Sequence, residues 1–206
     1  MPNVAILDYG VGNLLSVERA FDRLGIPFFR TNAEKMILEA THLVLPGVGA
    51  FSPAISVLKQ SGLDKVVKRF AESGKPLLGI CLGMQLLFEK SYEFGQHNGL
   101  GLIPGEVKPI AEVLQERAKV PSIGWKNLKL NLEAKSSLKF MPNDYFYFVH
   151  SFMGLPESIC NLIATYRYAG LDIPAIVRRE SVIGVQFHPE KSGNSGLDFI
   201  REFSKL

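Results

Sequence analysis

Short runs of consecutive apolar residues alternate along this chain with stretches where apolar residues recur every three or four positions. Val4-Ala5-Ile6-Leu7 is such a run and ends at Asp8. Four apolar residues in a row leave no face for water, so a strand buried on both sides is predicted. Leu14, Val17, Ala20, Phe21 and Leu24 then follow at helical spacing, with Gly25 where a helix C-cap belongs. Pro27 to Arg30 reads as a second strand, and His42 to Leu45 as a third, stopped by Pro46. Ser52-Pro53 has the form of an N-cap and first-turn proline for the next helix. Leu63, Val66, Val67 and Phe70 continue helically to Gly74. Pro76 to Ile80 is another buried strand, and the helical run Met84 to Phe88 follows it at once. Buried strands separated by helices predict a parallel sheet.

The second half differs. Leu128 to Leu132, Tyr145 to Val149, Leu162 to Tyr168, Ala175 to Arg178 and Val182 to Phe187 lie close together, with turn residues between them. They predict hairpin-connected strands added to the parallel sheet, and Gly196 to Phe203 predicts a closing helix. Tyr92 to Lys119 carries no readable period. The chain of 206 residues is 47% hydrophobic and 21% charged, which fits one folded domain over residues 1–206 and argues against disorder. Its net charge is only +3. Lys65, Lys68 and Arg69 sit on a helical pattern as a solvated face, so no nucleic-acid partner is expected. No stretch of about 18 apolar residues occurs, and the chain runs from Met1 directly into a strand, so no membrane association and a cytoplasmic location are expected. The two cysteines, Cys81 and Cys160, are expected to be free thiols in a reducing compartment.

Candidate chemistry centres on Gly79-Ile80-Cys81-Leu82-Gly83, between a buried strand and a helix. This is the nucleophile-elbow pattern with cysteine in the serine position. The glycines leave room where side chains would collide, and a helix start beneath Cys81 favours a thiolate. A base must accompany it. His188 and Glu190 flank Pro189 at the end of a strand. An extended chain across the proline would project both to one side, letting the carboxylate orient the imidazole. His42 is read as structural, His97 as solvated, His150 as able to line the site, and Cys160, without a glycine frame, as inert. Pro46-Gly47-Val48-Gly49 follows another strand. In a parallel sheet it belongs at the same edge as Cys81, where glycine-rich backbone can aim N–H groups at an oxyanion.

The segments GICLGMQ (Gly79 to Gln85), PGVG (Pro46 to Gly49) and GVQFHPE (Gly184 to Glu190) together resemble the class I, triad-type glutamine amidotransferases. LDYGVGN (Leu7 to Asn13), FYFVHS (Phe146 to Ser151) and QFHPEKSG (Gln186 to Gly193) are similar to the branch that supplies ammonia to a cyclase in histidine biosynthesis. The resemblance implies a flavodoxin-like, doubly wound α/β fold, its mostly parallel sheet extended by antiparallel strands in the C-terminal half. It implies a Cys81–His188–Glu190 triad, a γ-glutamyl thioester on Cys81 and an oxyanion hole from the N–H groups of Val48 and Leu82. Glutamine would be held by the loop at Gly47 and Gly49 and by Gln85, Ser151 and Phe152. The implied partner is a (β/α)8-barrel cyclase, docked in a heterodimer through Asn13, Trp125 and Lys191. No metal or organic cofactor is expected.

Two positions depart from the family pattern. In Pro121-Ser122-Ile123-Gly124-Trp125-Lys126-Asn127, Ser122 stands where the family usually has histidine and Lys126 where it has asparagine. They leave open a paralogous glutaminase feeding another synthase, such as one amidinating a sugar for surface polysaccharide. A non-catalytic binding module on the same fold, or a free-standing cysteine hydrolase, would also use this scaffold, but the full Cys81, His188 and Glu190 set argues for catalysis.

Overall fold

A computed structural model describes residues 2–114, 117–131 and 144–206. The first half runs β1 (Val4–Leu7), α1 (Leu14–Arg23), β2 (Phe28–Thr31), α2 (Glu34–Glu39), β3 (His42–Gly47), α3 (Phe51–Gln60), α4 (Leu63–Glu72), β4 (Leu77–Cys81) and α5 (Leu82–Leu86). Then come β5 (Phe88–Ser91), β6 (His97–Asn98), β7 (Ile103–Pro109), β8 (Ser122–Asn127), β9 (Lys129–Leu130), β10 (Tyr145–His150) and β11 (Phe152–Pro156). The chain finishes with β12 (Leu162–Tyr168), β13 (Leu171–Arg179), β14 (Val182–Val185) and α6 (Gly193–Phe203).

Among the described residues the main sheet has the order β2-β1-β3-β4-β14-β13-β12-β9. Pairing is parallel from β2 through β14 and antiparallel from β14 through β9. This is the flavodoxin-like order, carried further by hairpin strands. The apolar runs are buried on both faces, as their sequence requires. Val4, Ile6, Val44, Leu78 and Ile80 face one core with Phe21 of α1 and Phe199 and Phe203 of α6. Ala5, Leu7, Leu43, Leu45 and Leu77 face another with α3 and α4. Each fully buried Leu, Ile or Phe contributes roughly 1.5–3 kcal/mol, so a one-residue slip of β1 would exchange the residues offered to the two cores.

Several local expectations need correction. β3 does not stop at Pro46 but runs to Gly47. The β1 ladder has already ended at Val44, and the Pro46 carbonyl accepts a hydrogen bond from the Tyr9 hydroxyl at 2.9 Å. Ser52 is not the N-cap of α3. The helix begins at Phe51, and the Phe51 N–H donates to the Glu93 carboxylate at 2.7 Å. A carboxylate from a distant loop does what a local hydroxyl was expected to do. The helix after the elbow is shorter than its apolar run suggests, ending at Leu86, and Phe88 opens β5 instead. Within the unreadable stretch, β5, β6 and β7 join β11 in a separate four-stranded sheet. β8 and β10 form a two-stranded ribbon over the core. Of the strand expected at Leu128 to Leu132, Lys129 and Leu130 form β9, and Leu132 lies outside the described residues.

Candidate active site

The elbow is built by close approach. A Cβ on Gly83 would stand 1.9 Å from the Leu45 carbonyl oxygen, and one on Gly79 2.7 Å from the Gly83 carbonyl oxygen. Only glycine lets α5 cross so near the ends of β3 and β4. Between them Cys81 takes φ 54 and ψ −108, a strained conformation costing on the order of 1–3 kcal/mol. α5 has 5 residues, so its summed dipole is small. A charge on Cys81 would be held mainly by side chains around it.

His188 supplies one of these. Its N–H donates to the Tyr147 carbonyl at 2.9 Å, and its carbonyl accepts from the Ser192 hydroxyl at 2.6 Å. Its Nδ1 lies 2.7 Å from Glu190 Oε1, with both side chains almost wholly buried. A carboxylate at Nδ1 fixes the proton there and leaves Nε2 for Cys81. Burial works against a charged His188, but hydrogen bonds to Cys81 and Glu190, and the charges of both, outweigh it and raise its pKa well above the ordinary value. The expected pairing of His188 with Glu190 is therefore present, but the local geometry differs from the extended chain expected across Pro189. Pro189 to Lys191 form a turn of 3-10 helix. Glu190 Oε2 is buried with no hydrogen-bond partner among the described residues, which leaves His188 as the group that answers its charge.

A cavity of about 420 Å³ lies against Cys81 and His188. Val48, Gly49, Leu82, Gln85, Ser151 and Phe152, all singled out in the sequence, line it, as does His150. Gly47 is absent from the wall. A Cβ there would stand 2.8 Å from the Gly83 N and 2.9 Å from Leu82 Cβ, so Gly47 is needed for packing against the elbow. Asn13, Trp125 and Lys191 lie outside the cavity. Asn13 flanks the start of α1, Lys191 is exposed at the end of its 3-10 turn, and α1 and β10 both pack on that turn. Trp125 is exposed on the ribbon, edge-on to Tyr147.

His150 is held neutral. Burial pushes its imidazole down to about 4. Its Nδ1 is 2.8 Å from the Phe152 carbonyl and its Nε2 is 2.7 Å from the Tyr166 hydroxyl. A carbonyl only accepts, so Nδ1 carries the hydrogen and Nε2 accepts from Tyr166. Tyr166 in turn lies 3.0 Å from the Ser122 hydroxyl. His42 is structural, as expected, stacked edge-on against Phe203. His97 is half-buried in β6, not in a solvated loop. Cys160 is an exposed free thiol away from the cavity.

Three residues at the site were missed in the sequence. Glu93 lines the cavity, with one oxygen on Phe51 and its own N–H on Ser91 Oγ. Burial raises its pKa, opposed by the Phe51 N–H. Ser91-Tyr92-Glu93 was the available signal, because a serine two residues upstream commonly bonds such an N–H. Phe94 is 87% exposed at φ 51 over the cavity mouth. Gln186, wholly buried, places its Nε2 3.7 Å from Cys81 Sγ.

Comparison with known proteins identifies the family. Residues 5–205 match the family described as glutamine amidotransferase class-I. The chain is 46% identical to "Imidazole glycerol phosphate synthase subunit HisH 1" of Legionella pneumophila (strain Lens), over 100% of both chains. It is 44% identical to the HisH subunit of Moorella thermoacetica, over 100% of this chain and 96% of that one. Among solved structures, a glutamine amidotransferase superposes with a TM-score of 0.71 at 20% identity, covering 98% of this chain and 99% of that one. PurLQS from Thermotoga maritima gives 0.72 at 19%, covering 99% and 98%. The chain belongs to the class-I glutamine amidotransferase family and, within it, to the family of imidazole glycerol phosphate synthase HisH subunits.

Proposed function

We propose that this chain is the glutaminase subunit of an imidazole glycerol phosphate synthase, with Cys81, His188 and Glu190 as its catalytic triad. The observation that carries the site assignment is the buried His188–Glu190 pair at 2.7 Å, set against Cys81 on the wall of one cavity. The Cys81 thiolate attacks the side-chain amide carbon of glutamine. The oxyanion is met by the N–H groups of Leu82 and Val48. His188 protonates the leaving nitrogen, ammonia departs, and a γ-glutamyl thioester remains. His188 then takes a proton from water, the hydroxide attacks the thioester, and glutamate leaves as the thiolate returns.

Substrate placement follows from the free polar atoms. Both hydrogens of the Gln85 amide are engaged by protein acceptors, so its oxygen is the atom left to accept an N–H of glutamine. Glu93 is the one carboxylate on the cavity wall among the described residues. One of its oxygens has a protein donor and the other is available for the α-ammonium. Ser151 and Phe152 bind the substrate through their backbone.

The ammonia passes to a (β/α)8-barrel cyclase docked on the face carrying Asn13, Trp125 and Lys191. Ile123, Trp125 and Tyr145 are exposed on the β8–β10 ribbon, and an apolar patch of this kind suits a protein partner. The names of the relatives favour the histidine-pathway synthase over a sugar-amidinating one. The two departures from the family pattern do not weaken this reading. Ser122 points inward to Tyr166, and the Lys126 ammonium lies 5.2 Å over the Tyr168 ring. Co-purification with the cyclase, followed by glutaminase assay with and without its ligand, tests the assignment. A glutaminase that neither binds the cyclase nor responds to that ligand would contradict it.

A further inference from the structure

The orientation of two buried amides beside the nucleophile follows from one backbone carbonyl. Gln85 Nε2 lies 3.1 Å from the Phe152 oxygen and 3.1 Å from Gln186 Oε1. A carbonyl oxygen has no hydrogen to give, so the Gln85 atom facing it is the NH2 group. The second hydrogen of that group points to Gln186, whose facing atom must then be the oxygen. The Gln186 nitrogen is left on the opposite side, 3.7 Å from Cys81 Sγ. His150 donates to the same Phe152 carbonyl from a fixed tautomer, which holds the start of this chain in place. The donor end of the chain therefore faces the sulfur.

We propose that Gln186 is a catalytic hydrogen-bond donor, whose Nε2–H holds the Cys81 sulfur as a thiolate in the resting enzyme, and that Gln85 positions it from the Phe152 carbonyl. The proposal rests on Cys81 being the nucleophile and adds a second donor to the imidazolium of His188. It fits the five-residue α5, which supplies little dipole of its own. A thiolate accepts a hydrogen bond well and a thioester sulfur accepts one poorly, so the contact weakens as the acyl-enzyme forms.

The test is alkylation of Cys81 by iodoacetamide as a function of pH, in the complex with the barrel partner. It is read at the Cys81 peptide by mass spectrometry because Cys160 is a second, exposed thiol. The other titratable groups facing Cys81 are His188, with Glu190 behind it, and Tyr9. These stay in place in Gln186→Met, which keeps length and removes the donor. Loss of one donor should raise the alkylation midpoint by about one pH unit, equivalent to about tenfold in thiolate population. Nucleophilicity rises with thiol pKa at a slope near one half, so the high-pH plateau should rise about threefold while the rate at a pH well below both midpoints falls about threefold. A repacked or loosened site would not move the midpoint and plateau upward together. In the unaltered protein, the Gln186 side-chain amide resonance should shift with the same midpoint as alkylation, a readout that needs no variant. An unmoved midpoint in Gln186→Met, or an amide resonance indifferent to Cys81 titration, overturns the proposal. If Cys81 is not labelled at all in the unaltered protein, the nucleophile assignment itself fails.

Discussion

The two sides of the active site are held by different forces. On the Cys81 side, position is set by backbone contact. β3, β4 and α5 approach so closely that Gly79 and Gly83 admit no side chain, and Cys81 is left in a strained conformation between them. On the His188 side, position is set by hydrogen bonds. His188 is tied through its N–H to Tyr147, through its carbonyl to Ser192 and through its ring to Glu190. Errors on the two sides should therefore read out differently. A change at the elbow should unfold the protein, whereas a change among the polar groups should leave it folded and slow.

The largest effect should come from the elbow. Gly83→Ala puts a methyl group 1.9 Å from the Leu45 carbonyl oxygen. That overlap cannot be relieved by a side-chain rotation, and a loss of about 4 kcal/mol or more is expected. Thermal unfolding and soluble yield check it, and a melting temperature within a few degrees of the unaltered protein would break the comparison. Next is Glu190→Gln. The fold should persist, while glutaminase kcat falls about 100- to 10,000-fold because the amide no longer stabilises the imidazolium. Far-ultraviolet circular dichroism beside steady-state kinetics separates the two outcomes.

A smaller effect is expected at the far end of the cavity. Glu93→Gln keeps an oxygen for the Phe51 N–H, so α3 stays capped, but it removes the charge offered to the α-ammonium. The KM for glutamine should rise about 10- to 100-fold, in line with a charged hydrogen bond. The deaminated analogue glutaramate should be used equally by both proteins. The smallest effect belongs to Tyr166→Phe, which leaves His150 Nε2 without its donor. A stability loss of about 1–2 kcal/mol is expected from urea unfolding, together with a modest rise in KM as the Phe152 carbonyl loosens.

The same division explains what the sequence made legible. β1, β4 and the elbow were readable because burial on both faces gives unbroken apolar runs and because close approach demands glycine at fixed positions. The pairing of His188 with Glu190 was readable from their spacing, although a 3-10 turn and not an extended chain brings them together. β7 escaped notice because Pro104, Gly105 and Pro109 interrupt its alternation, and only pairing with β5 and β11 makes it a strand. α2 is too short, at 6 residues, for a period to emerge. The contacts of Glu93 with Phe51 and of His150 with Tyr166 join residues far apart in sequence. No local pattern encodes such contacts.

In the proposed function this chain makes ammonia at Cys81 and leaves its use to another protein. Cys81→Ala in the complex with the barrel cyclase tests it most directly, with synthesis measured from glutamine and from ammonium salt. Glutamine-dependent synthesis should fall to background while ammonia-dependent synthesis keeps the rate of the unaltered complex. Glutaminase activity above background in Cys81→Ala would contradict it.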